Sequence, residues 1–321
     1  MTSSSSIMQT QFIVEKELAK AIFGKILLCT DKATKERVVV KRLHIDSAKK
    51  QKSLVGFAKV LEDAEMEKRV HRALRDVGGH PHVLRLLKDF VEDGHDHFVL
   101  EYCARGELFH ELESLPHNRL GPKRALECFE QITQSLAFLH SQGFAHGDLS
   151  LENVFVAADG TCKLGDMGLS TETKMQKRHA GGKFFYMAPE LYVGTVEYDP
   201  VKADIWSLGI VLFMMLTGTP LFEKANPSDA GFRFVKSKGL RTICKEWQVD
   251  HLVPPDAMHL LDHMLQIQPT DRWSVDQIRA HPYVQAVAAD SAATTALTAL
   301  LHQCTLASQS THNGTTAVRG A

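Results

Sequence analysis

Over the first hundred positions, apolar and polar residues alternate in short runs: FIVEKEL, KILLCT and ERVVVKRL. Successive side chains of a strand face opposite sides of its sheet, so this period of two predicts β-strands. The turn-like DKATKE between the last two runs predicts a twisted antiparallel sheet from Ile13 to about Lys41. A helical stretch is expected over residues 54–74. His80-Pro81 breaks it, because proline has no N–H to give, and VLRLLKDF and DHFVLEYC predict two more strands.

Beyond Gly106 the period changes. LFHELESL and ALECFEQITQSLAFLHSQG carry apolar residues every three or four positions, which predicts helices, the second ending near Gly143. Asp159-Gly160 between NVFVAA and TCKLGD predicts a tight hairpin. DIWSLGIVLFMML is apolar nearly all round, the pattern of a helix buried within a domain. The pattern describes an α+β chain: a β-rich unit with one long helix over residues 11–101, then a mainly helical unit over 102–285. Residues 1–10 and the Ala-, Thr- and Ser-rich stretch 286–321 are expected to be disordered, having little to bury.

The 321 residues are 44% hydrophobic and 23% charged, enough for a substantial core. A formal net charge of -1 argues against nucleic acid as a partner, since phosphate-backbone binding draws on a basic excess. No apolar run approaches the ~18–20 residues that span a bilayer, and residues 1–10 lack the apolar core of a signal peptide. A cytoplasmic monomer with no membrane association, whose partners are proteins and small molecules, is the expectation. The six cysteines show no C-x-x-C spacing, so neither a zinc site nor a disulfide framework is indicated. The sequon at Asn313 is read as chance, and no internal repeat is present.

Candidate chemistry comes in an ordered set. His146-Gly147-Asp148-Leu149-Ser150-Leu151-Glu152-Asn153 puts an acid and an amide five residues apart on a loop between a helix and a strand. Asp166-Met167-Gly168, Ala188-Pro189-Glu190, Asp204-Ile205-Trp206-Ser207-Leu208-Gly209 and Asp271-Arg272-Trp273 follow. Each motif alone reads as a turn or a surface pair. In this order they resemble the eukaryotic protein kinases of serine/threonine type, over roughly residues 11–285.

The resemblance implies a bilobal fold with ATP and Mg²⁺ held between the lobes, and a protein hydroxyl as phosphoryl acceptor. It assigns Lys41 to the α- and β-phosphates, with Glu67 as its ion-pair partner. Asp166 and Asn153 are assigned to magnesium, and Asp148 to the proton of the substrate hydroxyl. Glu101-Tyr102-Cys103 becomes the hinge facing adenine and Leu100 the gatekeeper, with Ile26, Glu107 and Phe155 also at the nucleotide. Glu190 and Arg272 become a structural ion pair. Cys103 is placed within reach of electrophilic ligands.

Several positions depart from the family pattern. The nucleotide loop keeps one glycine: Ala19, Ala21 and Gly24 stand where G-x-G-x-x-G is usual, with Phe23 left to cap the site. Val39 replaces a small residue above adenine. Gly147 replaces an arginine that would bind a phosphorylated loop, and Thr171 and Thr173 are read as solvated loop residues. Ser150 stands where the family places a lysine for the γ-phosphate, while Lys183 replaces a neighbouring threonine; this reads either as an exchange of positions with Lys183 as the cation or as a solvent-facing Lys183 in a slow enzyme. Met167 is an easy substitute for phenylalanine, but His71, four residues after Glu67, demands a partner when buried. Glu107 and Glu152 suggest protein substrates with upstream basic residues, although Arg233 stands near where a third acid is usual. The competing reading is a pseudokinase, a binding or scaffolding module.

Overall fold

The computed structural model describes residues 6–51, 61–177, 182–193 and 197–287. A short helix α1 (Ile7–Gln11) leads into strands β1 (Phe12–Ala21), β2 (Gly24–Asp31) and β3 (Arg37–His44). Helices α2 (Ile45–Lys49) and α3 (Ala64–Asp76) follow, then β4 (Leu86–Glu92) and β5 (His95–Glu101). The five strands form one antiparallel sheet in the order β1-β2-β3-β5-β4. On β3, Val38 and Val40 face a core of Phe12, Cys29 and Val99, so the period of two turns Val39 and Lys41 to the other face.

The second lobe opens with β6 (Gly106–Glu107), α4 (Leu108–Glu113) and α5 (Pro122–Ser141). Short strands β7 (Phe144–Ala145), β8 (Val154–Val156), β9 (Cys162–Leu164) and β10 (Thr171–Glu172) carry the loops between them. Helices α6 (Pro200–Thr217), α7 (Ala230–Lys238), α8 (Leu240–Glu246), α9 (Pro255–Met264) and α10 (Val275–Arg279) complete it. The chain is thus an α+β fold of two lobes, and the predicted hairpin forms at β8 and β9 with Gly160 at φ 91°.

Two expectations are corrected. Residues 7–10, expected to be disordered, belong to α1, because Glu92 accepts hydrogen bonds from Ser6 Oγ and from the Ile7 and Met8 amides and so caps the helix. Helix α6 does reach 18 residues with a mean hydropathy of 1.4, long and apolar enough to cross a membrane. Nearly all of its residues are buried, however, and Ile205, Trp206, Leu208 and Phe213 form the centre of the helical lobe. Residues 52–60 and 288–321, which hold part of the expected first helix, the sequon and most of the expected tail, lie outside the described residues.

Candidate active site

The two lobes enclose a cavity of about 530 Å³. Ala19, Ile26 and Val39 of the sheet form its roof, Leu100, Glu101 and Cys103 its inner edge, and Glu107, Asn153, Phe155 and Asp166 its floor. Lys41 and Glu67 close the back. Lys41 arrives there by its place on β3, and Glu67 by the α3 face that also buries Val70, His71 and Leu74. The Lys41 Nζ donates to Glu67 Oε1 at 2.6 Å and to Asp166 Oδ1 at 3.2 Å. Burial alone would depress the Lys41 ammonium, but Asp166 and Glu67 outweigh it and hold its pKa above the ordinary value. Lys41 in turn holds the Asp166 carboxyl down at about 2, against its burial. Asp166 adopts φ 58°, a left-handed geometry uncommon outside glycine, which the contacts with Lys41 sustain.

Below the cavity, Asp204 at the start of α6 fixes the loop that bears Asp148. Its Oδ2 accepts from the His146 amide at 2.7 Å and lies 2.9 Å from His140 Nε2, and its Oδ1 accepts from the Gly147 amide at 2.9 Å. Gly147 turns here at φ 75°, and a Cβ on it would sit 2.4 Å from the Leu169 carbonyl oxygen. The absent arginine is therefore a steric requirement of this loop. Asp148 is held from two sides: Asn153 Nδ2 donates to its Oδ2 at 2.9 Å, and the Lys183 amide to its Oδ1 at 3.2 Å. Asp148 and Lys183 line a crevice beside the cavity, whose mouth Lys183 also borders. Asp166 and Asn153 offer hard oxygens, the donor type magnesium takes when phosphate and water complete its shell.

His71 fulfils the expectation of a buried polar group in difficulty. It is 2% exposed, and its Nε2 has no hydrogen-bond partner, the nearest carboxylate oxygen being Glu67 Oε1 at 3.9 Å. Burial, then the Lys41 charge, lower its pKa to about 4, with Asp166 and Asp89 opposing. The unfolded chain therefore takes up a proton near the ordinary 6.5 that the fold refuses, so stability falls as pH drops from about 6.5 to about 4. His71→Leu is expected to remove this loss, worth about 3 kcal/mol at the acid end. Melting temperatures at pH 7.5 and pH 5 check it: the gap between the two narrows in the variant, and an unchanged gap would refute the assignment.

Ala21, Phe23 and Gly24 do not line the cavity. Phe23 is 1% exposed and packs with Leu43, Leu86 and Phe98, because a two-residue turn between Ala21 and Gly24 drives its ring into the lobe. It does not cap the site. Gly24 is kept for another reason: a Cβ would lie 1.9 Å from the Arg42 carbonyl oxygen on β3. Cys103 is buried and its thiol is pushed up to about 12 by burial, with Glu101 adding, which disfavours the thiolate that would react with electrophilic ligands. Thr171 is buried in β10 rather than solvated. Arg233 is spent on the Pro227 and Ser228 carbonyls.

Two features escaped the sequence reading. Glu62 joins the carboxylates near Lys41, its pKa raised to about 7 by burial with Asp166, Glu67 and Asp148 adding and Lys41 opposing. Phe184 and Phe185 are 57% and 41% exposed directly after Lys183. Consecutive aromatics in a polar loop were the available signal for the second.

The model of the protein kinase domain matches residues 12–284. The Aurora kinase of Schizosaccharomyces pombe is 30% identical over 85% of this chain and 71% of its own length. Serine/threonine-protein kinase Aurora-1 of Arabidopsis thaliana is 30% identical over 86% of both chains. CBL-interacting protein kinase 20 of Oryza sativa subsp. japonica is 30% identical over 88% of this chain, which spans 59% of that protein.

Proposed function

The chain belongs to the protein kinase family, and from that premise we propose that it transfers the γ-phosphoryl group of ATP to serine or threonine hydroxyls of proteins, with Asp148 as proton acceptor. The observation that supports this most is the ion-paired chain of Glu67, Lys41 and Asp166 at the back of the interlobe cavity, its Glu67–Lys41 half buried. It holds a cation where a triphosphate needs one, already in place.

Adenine fits between Val39 and Ile26 above and Phe155 below, with the backbone of Glu101 and Cys103 offering hydrogen bonds at its edge. Lys41 takes the α- and β-phosphates. Asp166 and Asn153 would hold magnesium, which when bound neutralises charge on the phosphates. The substrate hydroxyl oxygen attacks the γ-phosphorus. Its O–P bond forms as the bond to the β,γ-bridging oxygen breaks, the electron pair leaves with ADP, and the hydroxyl proton passes to Asp148. Glu107 and Glu152 border the mouth of the cavity. Burial raises Glu107, Glu152 adds to this and His110 opposes it, so an arriving guanidinium relieves an unfavourable carboxylate pair. Substrates with upstream arginine follow.

The pseudokinase reading draws on one observation, the inward Phe23 that leaves the phosphates without a ring above them. Labelled γ-phosphate transfer to serine peptides separates the two readings. Transfer that stops on adding EDTA, gives phosphoserine, and runs several-fold faster on arginine-containing peptides than on their alanine counterparts is the expected result. A folded protein that binds ATP but transfers nothing would turn the reading to the pseudokinase.

A further inference from the structure

A catalytic carboxylate beside a triphosphate repels it, so a cation between the two is an electrostatic requirement of the transfer. Lys41 does not meet it, because it stands at the back of the cavity beside Glu67 and Asp166, where it serves the α- and β-phosphates, while Asp148 lines the crevice next to the cavity. Among the described residues, the cation at Asp148 itself is Lys183. Its Nζ lies 3.3 Å from Asp148 Oδ2 and donates to Ser150 Oγ at 2.9 Å. Ser150 is fully buried, so its hydroxyl is a fixed acceptor rather than a solvated one. The Lys183 side chain remains 35% exposed, open toward the cavity mouth that it borders.

We infer that Lys183 is a catalytic residue, the ammonium that neutralises the γ-phosphate during transfer, and that Ser150 is its seat. This rests on the kinase reading above and adds to it a charge supplied from outside the loop that carries the base. The protein kinases place a lysine at the position of Ser150, so the resemblance implies that hydroxyl and lysine have exchanged positions, and the two side chains do meet here at 2.9 Å. In the step, the ammonium donates to a non-bridging γ-oxygen and stays protonated throughout. The hydroxyl proton still goes to Asp148 and the electron pair to the bridging oxygen.

The carrying turn is itself anchored. The Tyr186 amide donates to the Lys183 carbonyl at 3.0 Å, the Tyr192 hydroxyl to the Phe184 carbonyl at 2.7 Å, and Ser207 Oγ to the Tyr186 carbonyl at 2.8 Å. Lys183 is thus positioned from both ends.

The test compares the full chain with Lys183→Met and with the exchange variant Ser150→Lys/Lys183→Ser. Lys183→Met is expected to lower kcat about 100-fold, the scale of removing one transition-state donor. Affinity for ADP should stay within threefold, while affinity for ADP with aluminium fluoride, which mimics the γ-group in transfer, falls at least tenfold. A residue that merely held Asp148 in place would not move that ratio. The exchange variant should recover at least tenfold in kcat over Lys183→Met. Should it fail to fold, added ethylammonium restoring turnover to Lys183→Gly serves the same purpose. A kcat within threefold of the parent in Lys183→Met, or no recovery by either route, overturns the inference and leaves the kinase reading intact. No transfer by the parent removes both.

Discussion

Asp148→Asn is expected to transfer phosphate about 10²–10⁴-fold more slowly than the parent while keeping its fold and its affinity for ADP. Asparagine has nearly the shape of aspartate, and the loop is held by Asp204 through the backbone of His146 and Gly147, so the substitution leaves the scaffold untouched. What it removes is the capacity to accept a proton. It also disturbs the local accounting of donors: the carboxylate receives Asn153 Nδ2, the Lys183 amide and the Lys183 ammonium. An amide offers one acceptor oxygen in place of two and sets its NH₂ against one of those donors. Steady-state transfer of labelled phosphate, alongside the thermal shift produced by ADP, measures both halves of the expectation. Parent-like turnover in Asp148→Asn would strip that residue of its role.

The second large effect is on stability. Arg272→Leu is expected to destabilise the helical lobe by about 3–5 kcal/mol, the scale for removing one partner of a buried ion pair. The Arg272 side chain is wholly buried and grips Glu190 with both terminal nitrogens, at 2.6 and 2.7 Å. Its remaining N–H groups reach the Gln266 and Lys202 carbonyls at 2.9 and 2.8 Å, and its guanidinium carbon lies 5.2 Å from the centre of the Trp206 ring. Leucine leaves a mostly buried carboxylate and those carbonyls without donors. The melting temperature should fall by roughly 10 °C or more, and Arg272→Leu combined with Glu190→Leu should cost less than the two changes summed, because the stranded charge is then gone. Additive losses would mean that the pair is not coupled.

Much of this was legible along the chain, and the boundary of legibility has physical causes. The ordered motifs carried the resemblance that paired Lys41 on β3 with Glu67 on α3, 26 positions later, and the pair is found at 2.6 Å. The awkwardness of His71 followed from its polarity and the same helical face. Phe23 was not readable, because a turn residue has no period, and its ring goes wherever a two-residue hairpin and the space beside Leu43 allow. Helix α1 was hidden because its cap, Glu92, lies 85 residues from Ile7. Gly147 looked like a lost arginine in the sequence. Only the neighbouring Leu169 carbonyl shows that nothing larger fits.

The turn from Lys183 to Tyr186 puts a positive charge and two exposed phenylalanines on one short piece of backbone. Phe184 is further steadied by Lys224, whose Nζ stands 4.8 Å over its ring. Anything that undoes the anchoring at Tyr192 or Ser207 withdraws the charge and the aromatic surface together.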